Sequence, residues 1–276
     1  MWQYIFVTTL PEEIERYRDR MWRREEQIRV KTVEDVEAMV EELGFCLGLT
    51  DVRKRMPSVY IAVCGRRDAH MPRNVQKDEE ASAAWVLKDE VIARGRVYYG
   101  KIYKGNSMFL APRLIPVFNT LWGCSKAGEA GILSKDAQAV LKILRKEWEM
   151  ATADLRSETG MDRTRLTKAI DELQKRMKVV PAEVVYVPKF TYIWTLAEGR
   201  FPKELKVKMT REDAVRELAR TYLKAFGMTL VGELSGKFGF QRWESGKANH
   251  ELVDEGFAER VEKGVYRISN LEWSPK

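Results

Sequence analysis

Ser134 to Leu196 reads SKDAQAVLKILRKEWEMATADLRSETGMDRTRLTKAIDELQKRMKVVPAEVVYVPKFTYIWTL. Ser134 is placed to cap a first helix that carries Ala137, Val140, Leu141 and Leu144 on one face. Thr152 is expected to cap a short second helix, Ala153 to Glu158, and Gly160 with Asp162 makes the turn into a third. The third helix repeats Leu166, Ala169, Ile170, Leu173 and Met177 at i, i+3, i+4 spacing, so one face is buried. Arg163, Thr164, Arg165, Thr167, Lys168, Gln174 and Lys175 lie on its other face. Two β-rich runs follow, Val179 to Val187 and Phe190 to Thr195, joined through Pro188-Lys189. Helix-turn-helix followed by a hairpin is the order of a winged helix, whose third helix meets DNA.

The pattern occurs again downstream. Thr210 with Asp213 makes a capping box for a helix through Phe226, and Thr229 is expected to open a short helix to Phe238. After Gly239 a third helix runs from about Gln241 to Glu255, with Arg242 and Lys247 as its candidate DNA contacts. A hairpin, Phe257 to Glu262 and Val265 to Ile268, turns at Lys263-Gly264. Thr210 lies 76 residues after Ser134, Gly239 lies 79 after Gly160, and Leu252 lies 79 after Leu173. Such steady offsets favour a tandem repeat over two unrelated helical segments. The fold class expected is mainly α with β-hairpins (α+β): tandem winged-helix domains with a small β element.

The N-terminal part carries fewer signals. Met1 to Thr8 is expected as a strand and Pro11 to about Arg24 as a helix with proline in its first turn. Thr32 and Asp35 form a capping box for a helix bearing Val33, Val36, Met39, Val40 and Leu43, stopped by Gly44. The apolar run Phe45-Cys46-Leu47-Gly48-Leu49 follows, and Ser58 is placed to cap a short helix to Cys64. Asp78 to about Ala93 reads as a helix with Ala81, Ala84, Trp85 and Val91 inward, ended by Gly95. Arg96 to Tyr103 and Ser107 to Ala111 read as a hairpin. Its Arg96, Lys101 and Lys104 interleave with Tyr98, Tyr99 and Tyr103, a mixture that can hold a backbone and stack on an exposed base. By alternation, Tyr99, Lys101 and Tyr103 share the face expected to be exposed, and Tyr98 and Ile102 the face expected to pack. The competing reading is a half-buried hairpin with its tyrosines inward. Leu114 to Trp122 reads as a short helix, and 123–131 and 200–208 read as linkers. The expected division is 1–77 (a winged-helix-like region), 78–126 (helix plus hairpin), 127–202 (second winged helix) and 203–276 (third).

At 276 residues, 45% hydrophobic and 32% charged, the chain is long enough for two or three small domains with real cores. No run reaches the length of a membrane span, and no basic segment precedes the short apolar start, so neither a membrane protein nor a signal peptide is expected. Cys46, Cys64 and Cys124 are odd in number and widely spaced, which points to buried thiols in a reducing cytoplasm. With only two histidines, His70 and His250, a zinc site of Cys and His is not expected, and no metal or cofactor is expected. Residues 1–133 hold 21 Lys/Arg and 19 Asp/Glu, net +2; residues 134–276 hold 27 and 22, net +5. The positive excess therefore lies with the tandem pattern, where a polyanion would meet it.

Four segments carry a family likeness. AIDELQKRMKVV…VYVPKFTYIWTLAEGRFP, from Ala169 to Pro202, resembles the bacterial AlkZ/YcaQ family of alkylpurine and interstrand-crosslink DNA glycosylases. TREDAVRELARTYLKAFGMT, Thr210 to Thr229, resembles the opening of that family's last winged helix, and EDVEAMVEELGFCLGL, Glu34 to Leu49, its first. WVLKDEVIARGRVYYGKIYKG, Trp85 to Gly105, is similar to a shorter group described as AlkZ-related. The resemblance implies three winged helices in a C-shaped arrangement around duplex DNA with a small β element between. It also implies a Gln-x-Gln or Gln-x-Asp pair that positions the hydrolytic water. Leu47 and Leu49 stand at those positions, and leucine can neither orient a water nor stabilise a developing sugar cation.

The substitute carboxylates are Asp51, Asp89 and Glu90, each competing with an ordinary role as a surface charge. No nucleophile motif or phosphate-cradling loop is present. The expectation is a cytoplasmic, nucleoid-associated protein that binds or senses damaged double-stranded DNA as a monomer. Its candidate contacts are Arg163, Arg165, Lys168, Lys175, Lys189, Arg96, Lys101, Lys104, Tyr99, Tyr103, Arg242 and Lys247. The alternatives are a dimeric winged-helix regulator reading an operator, an active glycosylase using a substitute carboxylate, or a protein-docking scaffold.

Overall fold

The computed structural model describes residues 10–271, so the strand expected over Met1 to Thr8 lies outside the described residues. The elements run α1 (Glu12–Met21), α2 (Val33–Leu43), β1 (Phe45–Leu47), α3 (Val59–Cys64), α4 (Glu79–Arg94), β2 (Tyr98–Tyr103) and β3 (Asn106–Leu110). After α5 (Ile115–Trp122) and α6 (Glu129–Ile132) come α7 (Lys135–Glu147), β4 (Glu149–Ala151), α8 (Thr152–Thr159), α9 (Arg163–Lys175), β5 (Val179–Val185) and β6 (Thr191–Leu196). Beyond α10 (Ala197–Arg200) lie α11 (Arg211–Phe226), β7 (Met228–Thr229), α12 (Glu233–Phe238), α13 (Arg242–Asp254), β8 (Ala258–Glu262) and β9 (Val265–Ile268).

One topology occurs three times. Each unit runs helix, short strand, helix, helix, hairpin, and each sheet is antiparallel with strand order β1-β3-β2, β4-β6-β5 or β7-β9-β8. The short first strand lies on the hairpin's second strand, so every unit closes around its own helices. Segment 78–126 therefore does not stand apart as a separate element. β1 pairs with β3, Phe45 opposite Leu110 and Leu47 opposite Met108, which makes α4 and the β2–β3 hairpin the second half of the first unit. The physical reason is the run Phe45-Cys46-Leu47, all buried, whose peptide groups need a ladder partner in the core.

Capping follows the sequence in most places. Ser134 accepts from the Ala137 amide, Asp162 from Thr164 and Arg165, Thr210 from Asp213, and Ser58 from Ile61. Two assignments change. The Thr152 side chain caps no helix; its hydroxyl donates to the Tyr192 carbonyl and accepts from Trp194 Nε1 (2.9 Å). Thr229 sits in β7, and the helix it was expected to open begins at Glu233.

The units are not beads on a string. α1 lies against α11: Trp22 Nε1 donates to Ala225 O (2.7 Å) and Arg18 Nε to Phe226 O (2.9 Å). A single apolar core runs from the first unit into the third, with Phe45, Tyr103 and Tyr222 around Phe238. The second unit has its own core, built from Leu141, Leu144, Leu155, Leu166, Ile170, Leu173 and Trp194 among others. It joins the first unit by a reciprocal exchange, α4 packing against β5 while α9 packs against β2. Arg200 reinforces this join. Its Nη2 donates to the Ile92 and Ala93 carbonyls (3.0 Å each) at the end of α4, where Gly95 turns the chain at φ 63°. Cys46, Cys64 and Cys124 are buried free thiols.

Candidate nucleic-acid interface

The site is built on α9. Leu166, Ala169, Ile170 and Leu173 hold the helix to its own core, which turns Arg163, Thr164, Thr167, Lys168 and Lys175 outward. At 3.6 residues per turn these five side chains fall within an arc of about 140°. Arg163, Lys168 and Lys175 have no carboxylate within ion-pair distance among the described residues, whereas Arg165 is held by Asp136 (2.7 Å). Asp171 lies within the same arc, and Lys101 Nζ answers it at 3.0 Å. Next to it the buried Gln174 accepts from the Lys101 backbone amide (2.9 Å). The β2–β3 hairpin thus covers the C-terminal part of the face and leaves the N-terminal part, with two cations and the Thr164 hydroxyl, open, while the Thr167 hydroxyl donates to the Arg163 carbonyl (2.8 Å).

The hairpin itself departs from the alternation rule. Tyr98, Tyr99 and Tyr103 are all buried, so the face expected to be exposed is covered as well as the face expected to pack. Tyr99 packs on Phe109 (4.7 Å between centroids), Tyr98 on Phe201 (5.4 Å) and Tyr103 on Phe238 (5.9 Å). Alternation assumes a solvated side, and here the neighbouring units take its place. Lys101 is engaged with Asp171, Arg96 with Glu37 (3.3 Å) and Lys104 with the Gly236 carbonyl (2.8 Å). The hairpin is a brace between units. On α13, Lys247 pairs with Glu212 (2.6 Å), while Arg242 is exposed beside Trp243, an exposed ring that the sequence reading passed over.

Leu47 is 0% exposed in β1 and its amide donates to Pro57 O (2.8 Å); Leu49 is half-buried against the same core. Asp51 is a structural carboxylate. It accepts from the Arg53 guanidinium (2.5 Å), the Arg53 amide and the Met71 amide (3.1 Å each). The Arg53 guanidinium, with those amides, holds its carboxyl down to about 2 against the opposing pull of burial. Glu90 is exposed on α4.

Asp89 belongs to a second constellation, at the junction of α4 and the β5–β6 hairpin. Lys88, only 2% exposed, pairs with Asp89, and its Nζ lies 4.7 Å from the Trp85 ring centroid and 3.3 Å from Tyr192 Oη. Burial pushes the Lys88 ammonium below the usual lysine range, and Asp89 pulls the other way. Tyr186 donates its hydroxyl proton to Asp89 and accepts from Trp85 Nε1 (2.7 Å). Burial, then the Asp89 contact, pushes the Tyr186 phenol up to about 12, which keeps it a neutral donor. Each Asp89 oxygen is engaged, Oδ1 by Lys88 and Oδ2 by Tyr186, so this carboxylate joins two units. The sequence signal for the cluster was the aromatic run Tyr186-Val187-Pro188-Lys189-Phe190 with Trp85 and Lys88 at i, i+3. Only the packing of the hairpin on α4 makes them neighbours. Among the described residues no three His, Cys, Asp or Glu side chains gather as a metal ligand set, and no helix is long and apolar enough to cross a membrane.

A family model for AlkZ-related proteins matches residues 30–226, well over half of the chain. The chain belongs to the AlkZ-related family. The matched span covers the first two units and the long first helix of the third, so it contains both constellations of this AlkZ-related protein. Among solved structures, the Streptomyces sahachiroi DNA glycosylase AlkZ superposes with a TM-score of 0.57. That match covers 95% of this chain and 71% of that one at 11% identity, a likeness of fold. No curated protein matches the AlkZ-related chain.

Proposed function

We propose that this AlkZ-related protein is a DNA-repair relative of the DNA glycosylases that binds damaged duplex DNA as a monomer. Each helix–strand–helix–helix–hairpin unit is a winged helix, and α9 is the principal DNA-facing helix. The observation that carries this reading is the open face of α9. Arg163 and Lys168 project there without carboxylate partners among the described residues, and Lys175, likewise unpaired, lies exposed at the end of the helix beyond the part that the hairpin covers. Cations on a helix face that no carboxylate pairs supply the phosphate contacts that dominate affinity for duplex DNA, and the one acidic side chain in the arc, Asp171, is answered by Lys101. The exposed Lys189 and Arg242 extend the same chemistry to the second hairpin and to α13.

The protein does not excise bases by the family's water-positioning route. Leu47 is sealed in a strand and Leu49 presents only carbon, so neither can activate a water. Asp51 and Asp89 are consumed by structural contacts and do not replace them.

Fluorescence anisotropy with a labelled duplex tests the binding. The triple variant Arg163→Ala, Lys168→Ala, Lys175→Ala should flatten the slope of log K against log salt by roughly 2.7, about 0.9 per lost phosphate contact. An unchanged slope moves the interface away from α9. Incubation with methylated or crosslinked duplex should yield no abasic sites, and robust base release would refute the account of Leu47 and Leu49.

A further inference from the structure

The constellation around Asp89 carries exposed rings that bracing two units does not require. Tyr186 is 52% exposed, Val187 81% and Phe190 46%, at the tip of the hairpin that packs on α4. Phe190 meets Tyr186 edge-on (5.5 Å between centroids, 70°) and Trp85 likewise (6.1 Å, 61°). The Tyr186 ring is held from below at its hydroxyl, which donates to Asp89 and accepts from Trp85 Nε1. A surface ring fixed this way cannot fold back onto the protein to hide its apolar area, so its outer surface is offered ready-made to a ligand.

We propose that Trp85, Tyr186 and Phe190 form a stacking platform for one unpaired nucleobase, so that this protein favours DNA with a bulged or gapped strand over intact duplex. The inference rests on the DNA-binding reading above and names the kind of DNA. Three observations select a base as the occupant. The patch is three rings and a valine, the size of one or two bases and far below the roughly 800 Å² per partner of a stable protein interface. Lys189, between the tip proline and Phe190, is exposed and has no carboxylate partner among the described residues, so an unspent cation adjoins the rings for the phosphate of a stacked nucleotide. The Asp89 carboxylate nearby is shielded by Lys88 and Tyr186 and does not repel that phosphate. Bases inside a duplex already spend both faces on their neighbours, so only an unpaired base has a face to give.

The test uses the full chain and three labelled DNAs of one sequence: intact duplex, duplex with a single-nucleotide bulge, and duplex with a three-nucleotide gap. The protein should bind the bulged and gapped forms roughly tenfold more tightly than the intact one, in line with one base–aromatic stack. Phe190→Leu, which keeps an apolar side chain but removes the ring, should erase that preference while leaving intact-duplex affinity within about twofold. Phe190→Trp should retain it. Equal affinity for all three DNAs, or a preference that survives Phe190→Leu, overturns the platform and leaves the duplex reading standing. Absence of any salt-dependent DNA binding overturns both, and a protein partner lost on Phe190→Leu in place of the DNA preference also refutes the base as occupant.

Discussion

Replacing Lys88 with Met should destabilise the protein more than any surface change, and the size of the loss can be worked out. Lys88 is 2% exposed and Asp89 is buried beside it, joined by a direct ion pair within α4. Methionine fills the space of the lysine stem and removes its charge, leaving the carboxylate with only the Tyr186 hydroxyl. A buried carboxylate left without its cation costs about 3–5 kcal/mol. The retained hydrogen bond lowers the expected loss to about 3–4 kcal/mol, in the range for breaking a buried pair from one side. For a chain of this length that is a fall in Tm on the order of 10 °C. Removing both charges with Lys88→Met/Asp89→Asn should recover most of it, because no buried charge is left unanswered. Differential scanning calorimetry of parent, both single variants and the double variant gives the coupling directly. If Lys88→Met melts within about 2 °C of the parent, or the double variant is no better than the single, the pair is not the junction described here.

Asp51 predicts a signature in acid. Its folded carboxyl titrates near 2, below the ordinary value, so its contribution is complete above about pH 4 and is lost as pH falls from there towards 2. Arg53 is 72% exposed, which discounts the contribution to about 1–2 kcal/mol. Asp51→Asn should therefore melt lower than the parent at pH 7, and the gap should shrink below about pH 4 and close only below pH 2; a gap undiminished at pH 2.5 would contradict the assignment. Gly95→Ala should cost about 1–3 kcal/mol in chemical or thermal unfolding. The position has φ 63°, and the Arg200 guanidinium fills the space a Cβ would take, so an unchanged Tm would mean that this clamp is slack.

The sequence by itself determined most of the helices and where most of them start, because capping and 3.6-residue periodicity are local; Thr152 and Thr229 are the exceptions. Thr32, Ser58, Ser134, Asp162 and Thr210 each cap the helix their position announced. The outward cations of α9 were legible for the same reason: the apolar stripe fixes one face and leaves the other to solvent. The family likeness was legible in four segments, and the matched span contains or overlaps each of them. The short strands β1, β4 and β7 were not read, since two or three residues are too few to show alternation. Missing them detached the first hairpin from its own unit. Only the tertiary structure decided that both faces of that hairpin are covered, because burial there depends on α9 and on the third unit, far away in sequence. The same holds for Lys88, Asp89 and Tyr186. Each reads as an ordinary side chain in its own segment, and they become one network only when the hairpin of the second unit packs onto α4 of the first.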